Sequence, residues 1–300
     1  METREKIVII GGGFAGLQLA KALNKKRKKV IVIDKVNHHM FQPLFYQVAC
    51  GRIEPSNISF PFRKIFQRSR NIQFRMVEVQ KILPEQNKII TEDAEFTYDK
   101  LVIATGCKTN FFGNSKMQGL TYGMKNTQEA IAIRNNILLT FEKLIIEKRR
   151  SDDGKWNIVI VGSGPTGVEL AGAFAEMKKD ILPRDYPNMN FNDLQIILIS
   201  STEKPLNVMS KEAQEKSELY LKELGVHFMS GEFVTDYDGD QVTMKSGKTI
   251  KSNNVIWAAG VTGNVIEGLN PEIIVRNRYK TDRFNRVQGY KNIFAIGDIA

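Results

Sequence analysis

The chain has 300 residues, 42% of them hydrophobic and 25% charged, enough for one large or two medium domains with real cores and against a disordered or fibrous chain. The formal net charge of +10 suits nucleic acid, an anionic membrane surface or anionic cofactors. No stretch approaches the ~18 apolar residues of a membrane-spanning helix.

From the N-terminus, Met1 and the charged run Glu2–Lys6 lead directly into Ile7-Val8-Ile9-Ile10, so no signal peptide is expected. The apolar run reads as a central parallel strand, and Gly11-Gly12-Gly13-Phe14-Ala15-Gly16 opens a helix with small residues at Ala15, Ala20 and Ala22. The basic run Lys25–Lys29 reads as a solvated turn before the strand Val30–Ile33, which ends in Asp34, and no nucleic-acid motif surrounds it. Leu101-Val102-Ile103-Ala104-Thr105-Gly106 closes this first unit. A helix is expected over Thr127–Arg150 from Ile131, Leu138, Phe141, Leu144 and Ile145, with Lys148-Arg149-Arg150 at its C-terminus and a loop over Ser151–Gly154.

The same order then repeats. Ile158-Val159-Ile160-Val161 enters Gly162-Ser163-Gly164-Pro165-Thr166-Gly167 and a helix containing Ala171, Gly172, Ala173 and Ala175. A strand over Gln195–Ser200, an amphipathic helix over Lys211–Gly225 and a hairpin of Val234–Asp236 with Gln241–Lys245 follow, and Val255–Gly260 closes the unit. Asn292–Ala300 reads as a strand entering a Gly-Asp turn, where a further helix would be expected to follow. The repetition predicts an α/β protein of two Rossmann-like three-layer domains, one inserted in the other: residues 1–113 plus 274–300, and residues 114–273.

A strand, a GxGxxG turn and a helix form a dinucleotide site for a physical reason. The first glycine makes the tight turn, the second lets a pyrophosphate approach the backbone, and the third packs helix on strand. The helix N-terminus then faces the diphosphate. Asp34 stands where a carboxylate would accept hydrogen bonds from ribose hydroxyls. In the second unit that place is held by Ser200, followed by Ser201-Thr202-Glu203-Lys204, which leaves NADPH open beside NADH. Cys50 and Cys107 lack the spacing of a redox pair or zinc site, and His38 and His39 read as loop residues without a further ligand.

The stretch His38–Ala49, with Phe41-Gln42-Pro43-Leu44-Phe45-Tyr46-Gln47-Val48-Ala49, resembles the signature of type II NADH:quinone oxidoreductases. Tyr98–Gly106 with Asn110-Phe111-Phe112-Gly113, Pro165–Gly172 and Ala295–Asp298 agree with it in order. The resemblance implies hydride transfer from NADH to FAD and then two electrons to a quinone, without proton pumping. It puts FAD on Gly11, Gly13, Phe14, Ala15, Gly16, Asp34, Val79, Ala104, Thr105, Gly106, Gly297 and Asp298, with Gln47 near the isoalloxazine ring. It puts NADH on Gly162, Gly164, Pro165, Thr166, Gly167, Ser200, Ala259 and Gly260, and Glu169 beside flavin and nicotinamide. Cys50 stands where the family often has threonine.

The family's quinone motif and amphipathic membrane anchor would lie beyond Ala300. The resemblance therefore implies, for a longer protein, peripheral attachment on the cytoplasmic side of the inner or plasma membrane, and it allows a homodimer. No metal and no nucleic acid are expected. Competing readings are a ferredoxin- or disulfide-type NAD(P)H reductase, which in the latter case needs paired cysteines, and a non-catalytic nucleotide-binding module like apoptosis-inducing factor.

Overall fold

The computed structural model describes residues 4–147 and 154–300. Its chain divides into two units, one of Met1–Phe41, Ile58–Lys108 and Val261–Ala300, the other of Gln42–Asn57 and Thr109–Gly260.

The first unit is built on a five-stranded sheet in the order Ile293–Ala295, Lys100–Ile103, Lys6–Ile10, Lys29–Asp34, Ile72–Met76, with every neighbour parallel. The apolar run Ile7–Ile10 is buried throughout because both faces of its strand are covered. Ile7 and Ile9 pack on one face with Leu17 and Ala20 of the helix Phe14–Ala22, together with Phe62 and Phe74. Val8 and Ile10 pack on the other face with Ile82 and Ile89, which belong to a three-stranded antiparallel sheet of Val79–Leu83, Lys88–Thr91 and Glu95–Thr97.

The second unit repeats this plan. Its parallel sheet runs His227–Met229, Ile196–Ile199, Ile158–Val161, Asn254–Trp257. The central strand is again wholly buried and again leads to a helix, Pro165–Glu176. A three-stranded antiparallel sheet of Val234–Tyr237, Gln241–Met244 and Thr249–Lys251 supplies Val234, Val242 and Met244 to the core. The helix Thr127–Glu147 seats Phe141 edge-on against Trp156 and Phe191, at ring-centroid distances of 6.4 and 5.5 Å.

The expected helix beginning at Thr127 is present, and the expectations for residues 148–153 lie outside the described residues. The helix Lys211–Glu223 ends before Gly225, which takes a φ of +75°. The helix after the second glycine turn runs on past its small residues through a π-helical turn, Met177–Ile181, into Leu182–Asp185. His38 and His39 are corrected from loop to strand: His38–Met40 pairs antiparallel with Ser59–Pro61.

The unit boundaries also differ from those expected. Residues 261–273 go with the first unit rather than the second, because Ile266, Leu269 and Ile273 lie in its core beside Ile82 and Tyr279. Gln42–Asn57 go with the second unit, because the helix Phe45–Ala49 packs on the helices Thr127–Glu147 and Pro165–Glu176.

Leu101 is fully buried in the first sheet. Leu101→Ala should therefore cost about 3 kcal/mol, measured as a loss of unfolding free energy in urea, and a loss below about 1 kcal/mol would contradict this packing.

Candidate dinucleotide sites

The two glycine turns are the same object in backbone terms. Gly11 donates its N–H to the Ile33 carbonyl at 2.7 Å, and Gly162 donates to the Ile199 carbonyl at 2.8 Å. Both glycines take a positive φ, +102° and +108°, which a side chain resists, and a Cβ on either would also strike the chain at Ala104 or Ala258. A methyl group on Gly16 would lie 1.9 Å from the Gly11 carbonyl oxygen, and one on Gly167 would lie 1.8 Å from that of Gly162. Each helix can start so close to its strand only because that third glycine has no side chain. The middle glycines differ in kind: nothing lies within 4 Å of a Cβ built on Gly13 or Gly164. Each opens to free space at the head of a helix, whose first N–H groups have no acceptor within the helix itself.

In the first unit, Asp34 closes the turn. Its Oδ2 accepts from the Gly12 N–H at 2.7 Å and its Oδ1 from the Val36 N–H at 3.0 Å. Carboxylate oxygens can each accept more than one bond, so capacity remains for a ribose hydroxyl. A cavity of about 600 Å³ is lined by Gly11, Asp34, Val79, Thr105 and Asn264. Thr105 donates its hydroxyl to the Asn264 carbonyl at 2.7 Å, and the Asn264 amide donates back to the Thr105 carbonyl at 3.0 Å. The buried Ala104 and Gly106, at a φ of +63°, flank this exchange. Gly297, at a φ of +76°, faces the Ala15 methyl, and Asp298 accepts from the Cys107 thiol at 3.1 Å. An open helix start, a carboxylate at the end of the second strand and an adjoining cavity fit an adenine dinucleotide.

The second unit holds its turn differently. Ser200 is 4% exposed, and its hydroxyl lies 2.6 Å from that of Ser163 and 2.9 Å from that of Thr202. The Ser200 hydroxyl is thus engaged within the protein, where it shapes the loop that follows the strand. Gly260 lies under the Phe112 ring and accepts from the Asn110 N–H at 3.0 Å, and Ala259 lines the back of Gly162. Pro165 and Thr166 open the helix, with proline at a position whose N–H would have no helical partner.

Glu169 is the fifth residue of the same helix, whose first turn carries no acid, so attraction to the helix dipole does not account for it. Its side chain reaches the surface, yet surrounding protein strips enough water from the carboxyl to push its pKa up.

Gln47 sits on the helix Phe45–Ala49 of the second unit and donates its amide to the Tyr46 hydroxyl at 3.2 Å. The buried Cys50 donates its thiol to the Gln47 carbonyl at 3.5 Å, and burial raises that thiol's pKa, which suits packing better than reactivity. Among the described residues neither Cys50 nor Cys107 is in a disulfide, and no cluster able to hold a metal occurs. His39 was not among the expected site residues. It is 6% exposed, and its Nδ1 lies 3.0 Å from the Gly12 carbonyl oxygen. Asn264 was also missed, since its partner Thr105 is 159 residues away in the chain.

The pyridine nucleotide-disulphide oxidoreductase family matches residues 5–300. The type II NADH:quinone oxidoreductase Ndh of Mycobacterium tuberculosis is 32% identical over 317 residues, covering 99% of this chain and 67% of that protein. The mitochondrial external alternative NAD(P)H-ubiquinone oxidoreductase B3 of Arabidopsis thaliana is 30% identical, covering 99% of this chain and 55% of that protein. A solved structure of NDH2 from Plasmodium falciparum in complex with NADH superposes with a TM-score of 0.90 at 24% identity, over 99% of this chain and 64% of the other. The chain thus belongs to the pyridine nucleotide-disulphide oxidoreductase family and, within it, to the type II NADH:quinone oxidoreductases. It spans between about half and two thirds of the length of these relatives.

The setting of Glu169 predicts that its carboxyl, followed by carbon-13 NMR, titrates above the ordinary 4.5. A midpoint at or below that value would contradict the desolvation of this site.

Proposed function

We propose that the first unit holds FAD and the second holds NADH, as the dinucleotide-binding part of a non-proton-pumping NADH:quinone oxidoreductase. The observation that carries this reading is the repeated turn, with open helix starts at Gly13 and Gly164 and a carboxylate, Asp34, closing only the first. FAD, when bound, supplies the two-electron chemistry that accepts hydride from NADH and passes electrons to the quinone.

The chain's own residues bind, orient and shield. Gly13, Phe14, Ala15 and Gly16 present main-chain donors to the FAD diphosphate, Gly11 makes the tight turn that lets it approach, and Asp34 accepts from its ribose hydroxyls. Val79 and Ala104–Gly106 line its bed, with Gly297 and Asp298 toward the flavin end. Gly162, Gly164, Pro165, Thr166 and Gly167 hold the NADH diphosphate, with Ala259 and Gly260 at the crossover. Glu169 is the group for proton handling near the nicotinamide: its raised pKa shifts proton exchange toward neutral pH.

Ser200 carries no charge to repel a 2′-phosphate, so NADPH stays open beside the favoured NADH, for which Glu203 of the same loop is the candidate ribose acceptor. A longer protein containing this chain would reach a membrane quinone by peripheral attachment on the cytoplasmic side of the inner or plasma membrane; no helix among the described residues is long and apolar enough to cross one. A homodimer is compatible with this assignment. A disulfide-exchange role fits the cysteines poorly, since Cys50 is buried with its thiol pKa raised.

Anaerobic NADH should bleach the visible absorbance of the FAD-loaded chain, and an unchanged spectrum would sink the reading. Steady-state turnover with a soluble quinone separates an enzyme from a nucleotide-sensing module, which would bleach once and then stop. Glu169→Gln should keep its flavin while slowing turnover roughly tenfold or more; an unaltered rate would remove the carboxyl from the mechanism.

A further inference from the structure

We infer that His39 is a positioning residue for the FAD diphosphate, acting through the peptide between Gly12 and Gly13; this rests on the first unit being the FAD site. The geometry is a clamp from several sides. The Gly12 N–H is held by Asp34 at 2.7 Å, and the Gly12 carbonyl lies 3.0 Å from His39 Nδ1. A carbonyl can only accept, so Nδ1 carries the proton and donates. The Phe62 ring closes the remaining space, since a Cβ on Gly12 would lie 2.1 Å from its Cζ. The His39 ring also meets Phe14 edge to face, at 5.1 Å and 88°. His39 thereby fixes the residues on both sides of Gly13, whose own α-carbon faces open space.

The second unit provides an internal comparison. Ser163 holds the place of Gly12, and its carbonyl accepts from the Leu206 main-chain N–H at 2.9 Å. Leu206 and His39 both come from the segment that follows the second strand, six residues beyond Ser200 and five beyond Asp34. Both units therefore restrain the same carbonyl, one with a backbone amide and the other with an imidazole. A restraint that recurs with different chemistry serves the turn itself, by fixing the plane of the peptide that sets the Gly13 N–H direction. The side-chain version is open to test by substitution, as the main-chain version is not.

His39→Phe keeps a ring against Phe14 and removes the donor, whereas His39→Asn puts an amide N–H where Nδ1 stands. Titration of the flavin-free protein with FAD, read by flavin fluorescence, should show affinity lowered roughly tenfold in H39F and returned to within about threefold of native in H39N. H39F binding FAD as tightly as the native chain overturns the inference and leaves the functional reading intact. A native chain that does not bind FAD overturns both.

Should H39F fail to fold, H39N against H39Q carries the test. The longer amide places its N–H nearer Nε2, so H39Q should bind more weakly than H39N, and equal binding overturns the inference. A second readout needs no ligand: nitrogen-15 NMR of the ring should show Nδ1 protonated. A bare Nδ1 overturns the clamp whatever FAD does.

Discussion

Each unit depends on a contact that has no room for a side chain: the third glycine of the turn resting on the carbonyl of the first. At 1.9 Å and 1.8 Å from those oxygens, a methyl group on Gly16 or Gly167 could not be accommodated by rotating a side chain, because the obstacle is backbone. The contact brings the start of the helix to the end of the central strand and aims its free amides at the open middle glycine. The strands flanking Lys6–Ile10 and Ile158–Val161 exist in the order that holds this junction: one on each side, parallel and buried.

Around this shared junction the two units differ in how they hold the second residue of the turn. In the first, a carboxylate takes the Gly12 amide and an imidazole the Gly12 carbonyl. In the second, the Ser163 and Ser200 hydroxyls meet in a buried pair, and the Ser163 carbonyl goes to a main-chain amide. The difference has a chemical consequence. A carboxylate at the end of the second strand still has lone pairs for a ribose, whereas a buried serine hydroxyl with two hydroxyl neighbours is committed to the loop. On the proposed assignment the first unit grips its sugar from Asp34, and the second relies on its helix start.

Most of this was legible in the sequence because it rests on local rules. Ile7–Ile10 and Ile158–Val161 could hardly be anything but covered strands, and glycines at fixed offsets after them carry a backbone requirement that no other residue meets. The place of Asp34 at the end of the second strand was legible from the apolar run Val30–Ile33 before it. Features that depend on distant pairing were not. The antiparallel sheet of Val79–Leu83, Lys88–Thr91 and Glu95–Thr97 has short strands with exposed charges, so no apolar run marks it. His39 gave no signal as a site residue, since its partner Gly12 lies 27 positions away and a lone histidine suggests no chemistry by itself. Ser200 is the opposite case: its position suggested a ligand contact, while the burial of its hydroxyl against Ser163 and Thr202 could not be read from that position.

The central claim is that the two turns serve two different nucleotides. It is tested most directly by equilibrium binding of FAD and of NADH to Gly16→Ala and Gly167→Ala proteins, each checked for folding by circular dichroism. The account predicts that the Gly16 variant loses FAD and keeps NADH, and that the Gly167 variant does the reverse. FAD retained at native affinity by Gly16→Ala, or lost on Gly167→Ala alone, would contradict it.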